Sequence, residues 1–264
     1  MIGIFDSGVG GLTVVKEIFR NLPQYQTIYF GDSARLPYGT RGADFVKKYS
    51  DKITGWLLEN KAEIIVVACN TASAWASDSL RKKYKGTAIF DMITPAISAA
   101  LETTKNNKIG VIGTPGMIKS GIYQKKLLAE NRSLEIYPVA CPLFVPLVEE
   151  GWVDDEITKQ IVRVYLNPLK DKGIDTLVLG CTHYPLLEDT IEKIIDSGIK
   201  IVNPAKTAAL EVKKYLEDNP DIEKQVRKGD SHQFFFSDEP YNLEKISNLC
   251  LGYGVKPVIR DPFS

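Results

Sequence analysis

The chain is expected to fold as an α/β protein of two similar, doubly wound, mostly parallel sheet domains, for three reasons. Short apolar runs rich in Ile and Val alternate with longer amphipathic stretches. The runs are apolar throughout rather than alternating with polar residues, which suits parallel strands covered on both faces. The same features also recur roughly 110 positions apart, the mark of a duplicated unit. At 264 residues the chain has room for two domains.

In order, the expected strands are Ile2–Phe5, Thr27–Phe30, Ile64–Ala68, Ala88–Phe90, Lys108–Ile112, Glu135–Val139, Thr176–Leu179 and Lys200–Val202. A helix opens after the first strand, and Val46–Leu58, Ser73–Tyr84, Thr158–Leu169 and Leu186–Ile195 have helical spacing. The repeat is carried by four pairs. Ile2-Gly3-Ile4 returns as Ile109-Gly110-Val111, and Ile28-Tyr29 as Ile136-Tyr137. Ala68-Cys69-Asn70-Thr71 parallels Gly180-Cys181-Thr182-His183, and Pro95-Ala96 parallels Pro204-Ala205. The boundary is therefore expected near Thr94-Pro95, giving a discontinuous first domain of residues 1–94 plus 206–264 and a second of 95–205. The two domains are expected to be related by pseudo-twofold symmetry. Residues 206–264, with a helix at Thr207–Glu217 and strands at Gln233–Phe236 and Lys256–Ile259, are too few for a good core of their own. Lys224–Asp230 reads as a solvated connection without a site.

Composition narrows the function. Lys and Arg number 33, as do Asp and Glu, so no bulk positive field exists to collect nucleic acid or anionic lipid. The N-terminus reaches Asp6 without a basic n-region, no apolar run approaches the length of a membrane span, and four scattered cysteines make no disulfide framework. A cytoplasmic protein with free thiols is the expectation. Asp6-Ser7-Gly8-Val9-Gly10-Gly11 follows a strand like a dinucleotide fingerprint, and Asp32 sits where a ribose-binding acid would. Thr13, however, occupies the third glycine position, and no G-K-[ST] is present. Metal is not expected either: His183 and His232 lie far apart, and no cysteines have C-x-x-C spacing. His232 reads as a surface or edge histidine.

The paired cysteine turns carry the chemistry. Cys69 and Cys181 each end an apolar strand before an expected helix, where open α/β sheets bind ligands and where a helix N-terminus favours thiolate. One such thiol would read as a small buried hydrophobe. Two at equivalent positions of facing halves suit a base and an acid on opposite faces of one carbon, which is racemisation or epimerisation. Asp6 belongs beside Cys69, and His183 beside Cys181, as groups that take or return protons. Ser7, Asn70, Thr71 and Thr182 offer donors for substrate carboxylates, a role compatible with helix capping. Cys141 and Cys250 are expected to be dispensable, since neither carries the shared motif after a parallel strand.

Together, Phe5-Asp6-Ser7-Gly8-Val9-Gly10-Gly11-Leu12-Thr13-Val14, Pro37-Tyr38-Gly39, Ala68-Cys69-Asn70-Thr71-Ala72, Phe144-Val145-Pro146-Leu147-Val148-Glu149 and Gly180-Cys181-Thr182-His183-Tyr184-Pro185 resemble the glutamate racemase family over nearly the whole chain. The resemblance implies cofactor-independent interconversion of L- and D-glutamate for peptidoglycan synthesis. It implies Cys69 and Cys181 as proton donor and acceptor, with Asp6, Glu149 and His183 assisting. Substrate contacts fall on Asp6, Ser7, Tyr38, Gly39, Asn70, Thr71, Thr182 and His183. No metal or other cofactor, no nucleic acid and no membrane partner are expected; a homodimer is the expected assembly. Some family members carry an N-terminal extension linked to activation by a cell-wall precursor, a control not expected in a chain that opens on its first strand. Rival readings are an aspartate or other acidic amino-acid racemase, a non-catalytic amino-acid binding protein, and a thiol hydrolase or redox enzyme. Aspartate racemases open with a different glycine motif, a binding protein needs no thiol pair, and a hydrolase leaves the second thiol unexplained.

Overall fold

A computed structural model describes residues 1–263. The chain first alternates β1 (Ile2–Asp6), α1 (Leu12–Asn21), β2 (Thr27–Gly31), α2 (Ala43–Glu59), β3 (Ile64–Val67), α3 (Asn70–Lys83) and β4 (Ala88–Asp91). After α4 (Ile93–Thr103) come β5 (Lys108–Gly113), α5 (Pro115–Ser120), α6 (Ile122–Glu130) and β6 (Glu135–Ala140). Then follow α7 (Phe144–Glu149), α8 (Glu156–Lys170), β7 (Thr176–Gly180), α9 (Glu188–Ile194) and β8 (Lys200–Val202). The rest is α10 (Pro204–Asp218), α11 (Pro220–Glu223), β9 (Gln233–Phe236), α12 (Leu243–Leu251) and β10 (Val258–Ile259).

The strands form two sheets, ordered β10-β9-β2-β1-β3-β4 and β6-β5-β7-β8, and every ladder between them is parallel. The order β2-β1-β3-β4 is repeated as β6-β5-β7-β8. Backbone hydrogen bonds repeat with it: Asp32 N–H donates to the Asp6 carbonyl at 3.0 Å, and Cys141 N–H to the Gly113 carbonyl at 2.9 Å. The α/β expectation and its parallel sheets are met.

Continuous apolar runs are needed because each strand feeds two cores. Ile4 and Val66 face a core that continues through Val14 and Ile18 of α1 and Val212 of α10 to Ile112 and Leu179 of the second sheet. Phe5, Ile65 and Val67 face the opposite side, against Val46, Ile53, Trp56 and Leu57 of α2. The spacing of those α2 residues puts them on one helical stripe, and burying each large side chain contributes roughly 1.5–3 kcal/mol. Ile109, Val111 and Val178 face a third core, under α4 and α6. The edge strand β6 is the exception: it is half-exposed and contains Pro138, which only an edge tolerates.

Pro95-Ala96, expected to open a helix after a strand, lies in the first turn of α4, started by the Asp91 carboxylate, which accepts from the N–H groups of Ile93 and Thr94 at 2.7 and 2.8 Å. Proline fits there because first-turn N–H groups have no helical partner. The single helix expected at Leu186–Ile195 is instead a 3-10 turn, Tyr184–Leu187, followed by α9. Among the described residues, no helix is long and apolar enough to cross a membrane.

Candidate active site

Cys69 and Cys181 extend the central strands β3 and β7, and both line one cleft of about 330 Å³. Cys69 is the residue before α3, in extended conformation. Its carbonyl accepts from Ser73 N–H at 2.7 Å, and its thiol lies 3.8 Å from Ser7 Oγ. Cys181 Sγ lies 3.8 Å from His183 Nδ1, and His183 Nε2 lies 3.1 Å from Glu149 Oε1. All four cysteines are free and buried.

Asp6 ends β1 and is wholly buried, accepting from Gly8 N–H at 3.0 Å and from Thr182 Oγ1 at 3.4 Å. It therefore ties the 6–11 turn to the Cys181 loop, while its charge also acts on Cys69. Thr13 Oγ1 donates to the Thr182 carbonyl at 2.8 Å. Gly10 serves this contact: a Cβ there would stand 2.4 Å from the His183 ring.

The two thiols have unlike electrostatic company. Burial pushes the Cys69 thiol up to about 12 and the Asp6 charge adds to it, outweighing the Ala72 amide and Ser7. Desolvation thus overrides the thiolate-favouring helix N-terminus expected from sequence. Burial likewise raises Asp6, against the His183 charge and the Gly8 and Gly11 amides. For His183, burial works against the imidazolium, but hydrogen bonds and charge from Cys181 and Glu149 prevail and hold it up to about 10. A thiolate at Cys181 therefore has a cation beside it, whereas a thiolate at Cys69 would face a carboxylate.

Ser7, Tyr38, Gly39, Asn70, Thr71, Glu149, Thr182 and His183 line the cleft with the thiols; Asp6 does not, lying behind Ser7. The Tyr38 hydroxyl donates to Asp32 at 2.6 Å. Asn70 and Thr71 are bridged to the second half by Tyr123 (3.3 Å) and by Thr114 (3.2 Å). Thr114 lines the cleft and no motif flagged it. The repeat was the available signal: counting from Ile2 and Ile109, Thr114 stands where Ser7 stands. Leu36, Pro115 and Pro142, also unanticipated, form apolar walls with Pro37, Val145 and Pro146 of the motif segments. Cys141 stands between β6 and α7 without the motif shared by Cys69 and Cys181, and it does not line the cleft. His232 is half-buried against Phe19, with ring centres 4.1 Å apart.

The cleft contains no Lys or Arg. An anionic ligand would be met by hydroxyl and amide donors and by the α3 N-terminus. Among the described residues, no cluster of three or more His, Cys, Asp or Glu is placed to hold a metal. A proton donor and a proton acceptor reaching one small cleft from separate sheets can exchange a proton across a bound carbon.

The sequence pattern of the Asp/Glu/Hydantoin racemase family matches residues 2–212. Glutamate racemases of Geobacter metallireducens and Aquifex pyrophilus are 45% and 44% identical to the chain, covering 95% and 97% of it and 92% and 96% of their own lengths. Among solved structures, Francisella tularensis glutamate racemase in complex with D-glutamate is 34% identical with a TM-score of 0.89, covering 98% of this chain and 96% of its own. A Bacillus anthracis glutamate racemase isoform is 36% identical with a TM-score of 0.91, covering 99% and 97%. Picrophilus torridus aspartate racemase, 20% identical with a TM-score of 0.56, shares the fold.

Proposed function

The chain belongs to the Asp/Glu/Hydantoin racemase family, and from that premise we propose that it interconverts L- and D-glutamate by a two-thiol mechanism. It is a glutamate racemase, an isomerase acting on a small-molecule substrate. The observation that carries the mechanism is the pair of thiols at equivalent strand ends, bordering one cleft with opposite proton company.

In the L-to-D direction the proton to be delivered sits on Cys69, and Cys181 acts as the base, with the His183 imidazolium, itself held by Glu149, beside it. L-glutamate binds with its carboxylates on Ser7, Asn70, Thr71, Thr114 and Thr182. Cys181 removes the α-proton and Cys69 delivers its own to the opposite face, leaving D-glutamate, a Cys181 thiol and a Cys69 thiolate. For D-glutamate the roles reverse. Asp6 opposes charge on Cys69, and so favours proton return. The apolar walls exclude water, which strengthens each of these interactions. No redox step or added group is needed for the proton balance.

The D-glutamate formed would supply peptidoglycan synthesis in the cytoplasm, a setting that suits four free thiols. A homodimer is the proposed assembly, and sedimentation velocity reads it directly. The test of function is to incubate the purified, dialysed protein with either enantiomer and follow optical rotation. Decay to zero from both sides is expected; a persistent rotation would overturn the reading.

A further inference from the structure

Asp32 has no part in the chemistry above, yet it is wholly buried, next to the site. A carboxylate at that depth persists only when hydrogen-bonded and paired. One of its oxygens accepts from Tyr38 Oη and the other from Arg35 Nη1, both at 2.6 Å. With both oxygens engaged, it has no place for a ribose. Arg35 uses its second arm on Asp261 at 2.6 Å, and its guanidinium lies 4.5 Å from the centre of the Tyr49 ring and 5.6 Å from that of Phe263. The chain of contacts thus runs from the C-terminal segment, through Arg35 and Asp32, to Tyr38. At its far end Gly39 is so close to the second half that a Cβ there would stand 2.8 Å from Thr114 Cβ. The placement of the 38–40 turn therefore sets the width of the cleft on that side.

We propose that Asp32 and Arg35 are positioning residues for the Tyr38–Gly39 wall of the cleft, anchored by Asp261 of the C-terminal segment. The inference rests on the racemase reading for its kinetic assay only. Asp261→Asn keeps the shape of a side chain near the surface and removes the charge, so folding should survive; Tyr38→Phe removes the other end of the chain of contacts. Each single variant should raise KM about fivefold for both enantiomers, because a wall has no handedness, with kcat within about twofold and the α-deuterium isotope effect unchanged. The double variant should be little worse than the worse single, because the two act through one network. Asp261→Glu should recover most of the lost affinity. The Arg41 amide, which donates to the Tyr38 carbonyl at 3.0 Å, should exchange its hydrogen about tenfold faster in Asp261→Asn. That exchange readout needs no substrate. A wild-type protein that fails to racemise glutamate would count against the functional reading alone. Unchanged KM and unchanged Arg41 exchange in Asp261→Asn, or fully multiplicative effects in the double variant, would overturn the positioning role.

Discussion

Cys69 and Cys181 show how two identical side chains acquire different duties from their neighbours. Removing either thiol strips one face of its acid or base. Cys69→Ala and Cys181→Ala should each lower racemisation by at least about 10³-fold, since positioned proton transfer contributes typically 10²–10⁴. Cys141→Ala should retain activity, because that thiol does not line the cleft. Polarimetry on the three variants separates these outcomes; a racemising Cys181→Ala protein contradicts the mechanism. The held-up imidazolium has its own consequence. His183 in the fold titrates near 10, above its ordinary 6.5, so the stability it contributes is complete below pH 6.5 and lost as pH rises through 10. The melting temperature of the wild type should fall more steeply between pH 7 and 10.5 than that of His183→Asn. Parallel melting curves across that range would show that the imidazolium is not stabilised by Cys181 and Glu149. At this scale the sequence was most informative where a residue belongs to a motif. Thr114 escaped because its short Gly-Thr-Pro-Gly run has no chemistry-bearing neighbour; only the repeat pointed to it.

Between elements, close approach decides. Gly10 lets the turn before α1 lie against the Thr182–His183 loop, and a methyl group there would stand 2.4 Å from the imidazole and 2.7 Å from Thr182 Oγ1. Gly10→Ala should destabilise the protein by about 1–3 kcal/mol and lower kcat in both directions; wild-type stability and kcat would mean that the two loops separate freely. Thr114 accepts from Met117 N–H as the cap of α5 and meets Thr71 across the cleft at 3.2 Å. Thr114→Val should cost about 1 kcal/mol of stability and raise KM, while Thr114→Ser restores both; equal behaviour of the two variants would remove the hydroxyl from the account. Strands β1, β3 and β7 were legible in the sequence because burial on both faces forces unbroken apolar runs. Helices α5, α6 and α7 were not, being six to nine residues long with too few turns to show a period. The run at Leu186–Ile195 looked like one helix because its apolar spacing begins inside the 3-10 turn Tyr184–Leu187 and continues into α9.

The repeated strand order was visible as an offset of about 110 positions before any coordinates. What the repeat could not show is where the halves differ. Asp6 and Asp32 of one half stand where the other half has Gly113 and Cys141, as the matching backbone hydrogen bonds make plain. Carboxylates buried on one side only, with the His183–Glu149 pair on the other, are products of packing across the cleft, which no local pattern encodes. One property of the cleft reaches beyond its chemistry. It is lined by no Lys or Arg, and the chain carries no net charge. Glutamate, a monoanion at neutral pH with its two carboxylates and one ammonium, is drawn into it by no long-range field, so dissolved ions have little attraction to screen, although the Debye length shrinks from about 30 Å at 0.01 M to about 3 Å at 1 M. Raising sodium chloride across that range should change KM for either enantiomer by less than about threefold. A steep salt dependence would point to cations outside the cleft that gather the substrate. In surroundings whose ion content swings, such a site would hold its throughput steady.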